Sequence, residues 1–189
     1  MENPQPPVEL SGGDDEALVE AARRDPEAFG VLYQRYLPQI YRYLRARTGN
    51  ADDAADLTQQ VFLKALAALP GYRPCGRPFI TWLLRIARNA VADFYRRRRS
   101  TVAFELVPEA PWGAHQESPE SIVLRREELA LLQALYLRLD PAKQELLALR
   151  FAAGLSVPEI AAVIGKREAA VRKQLYRIVL QLKEQFRDA

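Results

Sequence analysis

Residues 155–182 read LSVPEIAAVIGKREAAVRKQLYRIVLQL, and the punctuation of this stretch decides the fold. Ser156-Val157-Pro158-Glu159 has the form of a capping box, in which a serine oxygen and a glutamate three residues on satisfy each other's backbone N–H groups. The short helix it starts runs to Ile164 and breaks at Gly165. A longer helix follows from about Glu168, and in it Val171, Leu175, Ile178 and Leu182 recur at intervals of four and three, making one buried stripe. Arg172, Lys173, Tyr176 and Arg177 then point outward, as a helix laid in a major groove requires.

The same helical period continues upstream, and no stretch of four or more residues alternates as a half-buried strand does. Asp140-Pro141 opens a helix that Gly154, as a left-handed residue, can end. Ser118-Pro119 caps one of about 20 residues. Residues 100–118 hold Pro108, Pro111 and Gly113 with no helical stripe, and read as a linker. Further back, a first short helix begins near Asp14. Asp25-Pro26, an acceptor followed by proline at the first helical position, announces a second that runs to about Thr48 with a bend expected at Pro38. A third covers 52–69, with acids at its positive end, and Pro70-Gly71 stops it. After a loop at 72–77, a fourth starts at Pro78 with Phe79, Trp82, Leu83, Ile86, Ala87, Ala90 and Phe94 on one face and Arg85, Arg88 and an arginine run on the other. The expected fold is all-α: a disordered segment 1–13, a helical domain 14–99, a flexible acidic linker 100–118, and a helix-turn-helix domain 119–189.

Charge divides along the same lines. The 189-residue chain carries a formal net charge of only +3. Residues 1–20 nevertheless hold six acids and no base, and 100–124 hold Glu105, Glu109, Glu117 and Glu120 and no base. Against these, 85–99 carry six arginines and one acid, and 166–189 carry seven bases and three acids. Lys/Arg clustered on helices is the footprint of a polyanion, because each phosphate neutralised releases condensed counterion. A solvated face or an anionic membrane surface would also accommodate such runs. One cysteine, Cys75, and one histidine, His115, exclude a disulfide framework and a Cys/His zinc site. Residues 1–20 lack the basic and apolar parts of a secretory signal, and no window suits a membrane span, so a cytoplasmic protein without membrane insertion is expected.

Two separate blocks carry a family resemblance. Asp53-Ala-Ala-Asp56-Leu-Thr-Gln-Gln-Val-Phe-Leu-Lys64-Ala, followed by Pro78-Phe-Ile-Thr-Trp82-Leu-Leu-Arg85-Ile-Ala-Arg88-Asn89-Ala-Val-Ala-Asp93-Phe-Tyr-Arg96-Arg97, resembles region 2 of bacterial sigma factors. The helix-turn-helix at 155–182 resembles their region 4. With only a linker between, the chain is similar to the minimal, extracytoplasmic-function group over roughly residues 14–187. The resemblance implies an alternative sigma factor, a dissociable subunit that binds core RNA polymerase and directs it to promoters, with no catalysis and no cofactor of its own. It also implies polymerase contact at Asp53, Asp56, Leu57, Gln59, Gln60, Phe62 and Lys64, on the clamp helices of the largest subunit, and contact of the second domain with the flap of the second subunit. Recognition and melting of the minus-ten element would fall to Tyr72, Trp82, Arg85, Arg88, Asn89, Asp93, Tyr95, Arg96 and Arg97. Recognition of the minus-thirty-five element would fall to Lys166, Arg167, Glu168, Arg172, Lys173, Gln174 and Arg177. An anti-sigma protein is the further partner implied.

The chain departs from the family pattern in places. Ala55 and Gln60 stand where the docking motif usually has acids. Arg167 stands where Ser or Thr usually caps the recognition helix, and Lys173 and Gln174 replace a small residue and a base.

Other readings of the same residues stay open at this point. Asp52, Asp53 and Asp56 could hold a hard cation for nuclease chemistry, or could simply favour a helix dipole. The helix-turn-helix could belong to a free-standing regulator, which would dimerise on paired half-sites, and the whole chain could be a protein-binding helical adaptor. Phe79, Trp82 and Phe94 suit a core, whereas Tyr72, in a loop, and Tyr95, off the stripe, suit contact. Asp93 and Arg97 are spaced as an ion pair. Cys75 and His115 have no companions and receive no role, and Trp112 is expected to pack on one of the domains.

Overall fold

The computed structural model describes residues 12–100 and 119–188. Of the expected disordered segment 1–13 and linker 100–118, residues 1–11 and 101–118, with Trp112 and His115, lie outside the described residues, while Gly12 and Gly13 fall in a helix and Ser100 ends one. Those described form eight α-helices and no strand.

Four helices make the N-terminal half: α1 (Gly12–Ala22), α2 (Pro26–Thr48), α3 (Ala51–Ala68) and α4 (Phe79–Ser100). Helix α1 begins two residues earlier than expected, taking in Gly12 and Gly13. It is fastened by Asp15, which is buried and accepts hydrogen bonds from Arg35 at 2.6 Å and from the Tyr36 hydroxyl. Helix α2 starts where Asp25 accepts from the Glu27 N–H at 2.9 Å, and its stripe of Phe29, Leu32, Tyr36, Ile40, Tyr43 and Leu44 is buried. Removing one such side chain, as in Leu44→Ala, costs about 2–5 kcal/mol. Pro38 sits on the exposed side of this helix. Asn50 caps α3 through the N–H groups of Asp52 and Asp53. A 3-10 turn at Leu69–Gly71 ends the run.

Helix α4 is buried over a wider arc than one stripe predicts. Ile80, Leu84 and Val91 join Phe79, Leu83, Ala87 and Ala90 inside, and Trp82, Ile86 and Phe94 are half-buried. It touches α1, α2 and α3 on one side and the second half of the chain on the other, so more than one face must be apolar.

The second half comprises α5 (Pro119–Leu137), α6 (Pro141–Leu147), α7 (Val157–Ile164) and α8 (Glu168–Arg187). Asp140 caps α6, accepting from the Lys143 N–H at 3.0 Å, and this bonding holds its carboxyl below the usual range. The helix then widens into a π turn at Ala148–Ala152, with the Ala153 N–H donating five residues back to the Ala148 carbonyl at 2.9 Å. Gly154, at φ 70°, closes it. The capping box at the start of α7 is formed: the Ser156 N–H donates to Glu159 Oε2 at 2.7 Å, and the Glu159 N–H donates to Ser156 Oγ at 3.4 Å. Gly165, at φ 69°, ends α7 in a left-handed conformation that only glycine adopts freely, and the chain turns into α8. Val171, Leu175 and Ile178 are buried as the spacing requires, and Leu182 packs at the edge.

The two halves are packed together. One apolar cluster runs from Val19 through Val91 and on through Leu139 to Ile178. Helix α2 meets the π turn, and α4 meets α7.

Candidate nucleic-acid interface

On α3, the expected docking residues divide between two faces. Asp56, Gln59, Gln60 and Lys64 are exposed. Leu57 and Phe62 turn inward, Phe62 meeting Tyr33 edge-on at 4.7 Å between ring centroids, so their part is to hold the helix rather than to touch a partner directly. Asp53 is half-buried and accepts from Arg98 of α4 at 3.0 Å. The structure adds Leu63, 67% exposed, and Leu66 to the outer face. Their position off the buried stripe is the signal that could have marked them. No three acidic, Cys or His side chains converge to hold a metal among the described residues.

Tyr72, ahead of α4, and Phe79 and Trp82, in its first turn, form a cluster of tilted and edge-on rings. Tyr72 lies 5.4 Å from Phe79 and 4.8 Å from Trp82, and Phe79 lies 5.2 Å from Trp82. Tyr72, expected as a loop contact, is instead buried at 9% exposure, with Arg23 donating to its carbonyl, and burial raises its phenol pKa. Trp82 is the more open ring. Tyr95 is half-buried and donates to the Arg47 carbonyl at 2.6 Å. Asp93 pairs with Arg96 at 2.8 Å, three residues on. Arg98 also lies over the Phe94 ring, 5.3 Å from its centroid.

Arg85, Asn89, Arg96 and Arg97 lie along α4, all exposed, and Arg88 is half-buried. Arg88 reaches the second half of the chain, donating through Nε to Glu145 Oε1 at 2.7 Å. Arg77, Arg85, Arg88 and Asn89 share a cleft of about 320 Å³ with residues 162–165 at the end of α7.

On α8 the geometry agrees with the spacing. Arg172, Lys173, Gln174 and Arg177 are exposed opposite the buried stripe, with Tyr176 at 69% exposure among them. Lys166, Arg167 and Glu168 are exposed at the turn, where Lys166 Nζ donates to Gln174 Oε1 at 3.4 Å. Arg167 occupies the N-cap position with no side-chain cap bond, as its chemistry dictates. The first N–H groups of α8 are thus directed outward at the positive end of the helix dipole.

A helix-turn-helix with an open basic face, joined to a helical half whose arginine-bearing helix begins in an aromatic cluster, defines a helical DNA-binding protein of transcription. Sigma-70 region 2 matches residues 32–101, and sigma-70 region 4 matches 129–182. The chain is 40% identical over 166 residues to the ECF RNA polymerase sigma factor BldN of Streptomyces coelicolor, covering 87% of this chain and 63% of that protein. It is 36% identical over 179 residues to the ECF RNA polymerase sigma factor SigD of Mycobacterium tuberculosis, covering 91% and 83%. Among solved structures, that of CnrH in complex with the cytosolic domain of CnrY superimposes with a TM-score of 0.67 at 29% identity, covering 90% of this chain and 95% of that one.

The chain belongs to the ECF sigma factors of RNA polymerase. It is an alternative sigma factor, which directs transcription initiation.

Proposed function

We propose that the chain divides this work between its halves as a dissociable, non-catalytic subunit. Residues 14–99 dock on the clamp helices of the largest subunit of core polymerase through the outer face of α3, with Asp53, Asp56, Gln59, Gln60, Leu63 and Lys64. They also read and open the minus-ten element through α4. Residues 119–189 lie on the flap of the second subunit and read the minus-thirty-five element through α8.

The observation that carries this reading is the pairing of two basic helix faces, one beside an aromatic cluster and one on a recognition helix. Melting requires unpaired bases to be held outside the duplex, and an aromatic platform beside cations supplies about 1–3 kcal/mol per stacked base. Trp82 is the ring of the cluster best exposed for that task, one helical turn from Arg85.

The acidic segment between the halves repels bare DNA, so promoter specificity arises only with polymerase. The protein acts in the cytoplasm; no described helix is long and apolar enough to cross a membrane. As CnrH was solved with the cytosolic domain of CnrY, an inhibitory protein partner of the anti-sigma kind belongs to this reading. Run-off transcription with purified core polymerase and a genomic template library tests it. Specific start sites are expected only when the chain is added, and unchanged start-site choice would overturn it.

A further inference from the structure

Tyr72 is held at its main chain as well as at its ring. Its N–H donates to the Leu69 carbonyl at 3.0 Å, closing the 3-10 turn, and its own carbonyl accepts from Arg23, in the turn between α1 and α2. Arg23 reaches that carbonyl with one Nη, while the other donates to Glu20 Oε2 at 2.6 Å. The guanidinium thus bridges a carboxylate on α1 and a carbonyl 49 residues away, a two-sided grip that its rigid fork suits and a lysine ammonium does not.

The bond is not needed to make either turn that it joins. Between α1 and α2 the Arg24 and Asp25 N–H groups both donate to the Ala21 carbonyl, at 2.9 and 3.0 Å, and Asp25 caps α2. Stability is a poor account of it as well. The Arg23 side chain is 18% exposed and its Nε is buried with no hydrogen-bond partner, an arrangement that costs free energy. What the bond adds is position: it fixes where the chain leaves Tyr72, whose ring lies 4.8 Å from that of Trp82.

What leaves Tyr72 is an open segment. Residues 73–77 are all exposed, include Arg73 and Arg77, and bend at Gly76 with φ 67°. At the far end the Pro78 carbonyl accepts from the Thr81 N–H at 3.0 Å and from its hydroxyl at 2.8 Å. The loop arginines are therefore strung between two pinned ends, beside the most open ring of the cluster. A platform left loose would have to be ordered while the strands separate, and that ordering would raise the barrier.

We infer that Arg23 is a positioning residue for promoter opening: braced by Glu20, it holds the Tyr72 main chain so that the Trp82 ring and the loop arginines keep a fixed spacing toward an unpaired strand. It acts through Tyr72 and touches no base itself. This inference rests on the proposed function, and the experiment separates the two.

Holoenzyme assembled from core polymerase and the full chain is mixed with a promoter found by run-off transcription, carrying 2-aminopurine in its minus-ten element, and the rise in fluorescence reads strand opening. Arg23→Ala is expected to slow opening by about tenfold, one charge-assisted hydrogen bond expressed as a barrier, with affinity for core and for a duplex upstream fragment unchanged. On a template already mismatched across the minus-ten element the variant should initiate at close to the wild-type rate, since unpairing no longer limits. Normal opening by Arg23→Ala, or a defect of equal size on the mismatched template, would overturn the inference. Should Arg23→Ala lose helix, Arg23→Lys and Glu20→Ala carry the decision: both should open more slowly than the wild type, and wild-type opening in both would overturn it. In the free chain with Trp112→Phe, Trp82 is the sole tryptophan, and acrylamide should quench its emission more readily once Arg23→Ala is added. Unchanged quenching would also count against the positioning role and overturn it. A wild-type holoenzyme that opens no promoter would instead strike the proposed function, while the quenching still decides whether Arg23 sets the ring.

Discussion

Asp53 on α3 and Arg98 on α4 meet across 3.0 Å, so the helix read as facing polymerase and the arginine run read as facing DNA are joined by an ion pair. Both ends are partly exposed, and such pairs contribute about 0–1 kcal/mol.

Asp53→Ala should therefore lower the melting temperature only slightly while weakening core polymerase binding more. Parallel thermal melts and polymerase titrations check this. A large stability loss with full polymerase affinity would make Asp53 a purely structural residue.

Arg172 and Arg177 are exposed on the side of α8 away from its buried stripe, open to DNA. If each reads a base, replacement by Ala should cost about 1–3 kcal/mol and relax the preference at one position of the upstream element. If it touches phosphate, the loss should be uniform and the salt slope shallower by about one unit. Holoenzyme binding to promoters substituted base by base, at several salt concentrations, distinguishes the two, and no effect of either replacement would remove α8 from the interface.

The two helix starts of the helix-turn-helix should respond oppositely to mutation. Ser156→Ala breaks a formed capping box and should destabilise by about 1 kcal/mol. Arg167→Ser supplies a cap that is missing and should stabilise the free protein by about the same amount. Chemical denaturation of the two variants measures both, and an unchanged midpoint for Arg167→Ser would show that the N–H groups at the start of α8 are already satisfied.

Alkaline pH should unfold the chain. Burial raises Tyr36, Tyr43, Tyr72, Tyr95 and Tyr136 above the ordinary tyrosine value of 10.0. The folded state keeps these protons where the unfolded state releases them. Their contribution is complete below pH 10.0 and is lost as pH rises through the raised values. Tyrosinate absorbance should accordingly appear together with loss of helix, and ionisation of all eight tyrosines with the helices intact would contradict the burial.

Much of this architecture was legible because its helices are bounded by residues with one dominant physical role. Asp25-Pro26, Asp140-Pro141 and the Ser156–Glu159 box each mark a start that the structure forms. The Val171, Leu175 and Ile178 stripe fixed which side of α8 faces out. Position within a motif did not reveal direction on α3, where Leu57 and Phe62 serve the interior and Leu63 lies outside. Nor did loop membership reveal that Tyr72 folds back under Trp82, since that burial depends on where Phe79 sits once α4 has docked. The junction between the halves was illegible for a related reason: Gln39 and Arg42 bond to backbone carbonyls, which leave no trace in side-chain pattern.

The π turn at Ala148–Ala152 makes the length of the chain, as well as its composition, a determinant of that junction. Deleting one residue there would let the helix continue in ordinary α register and swing the downstream helices by about 100° around its axis. The Ala152 and Ala153 oxygens would then address a different side of the neighbouring helix, although no side chain at the junction had been altered. An indel at this point would reset the docking angle of the entire recognition module, an effect no point substitution in the same turn can produce.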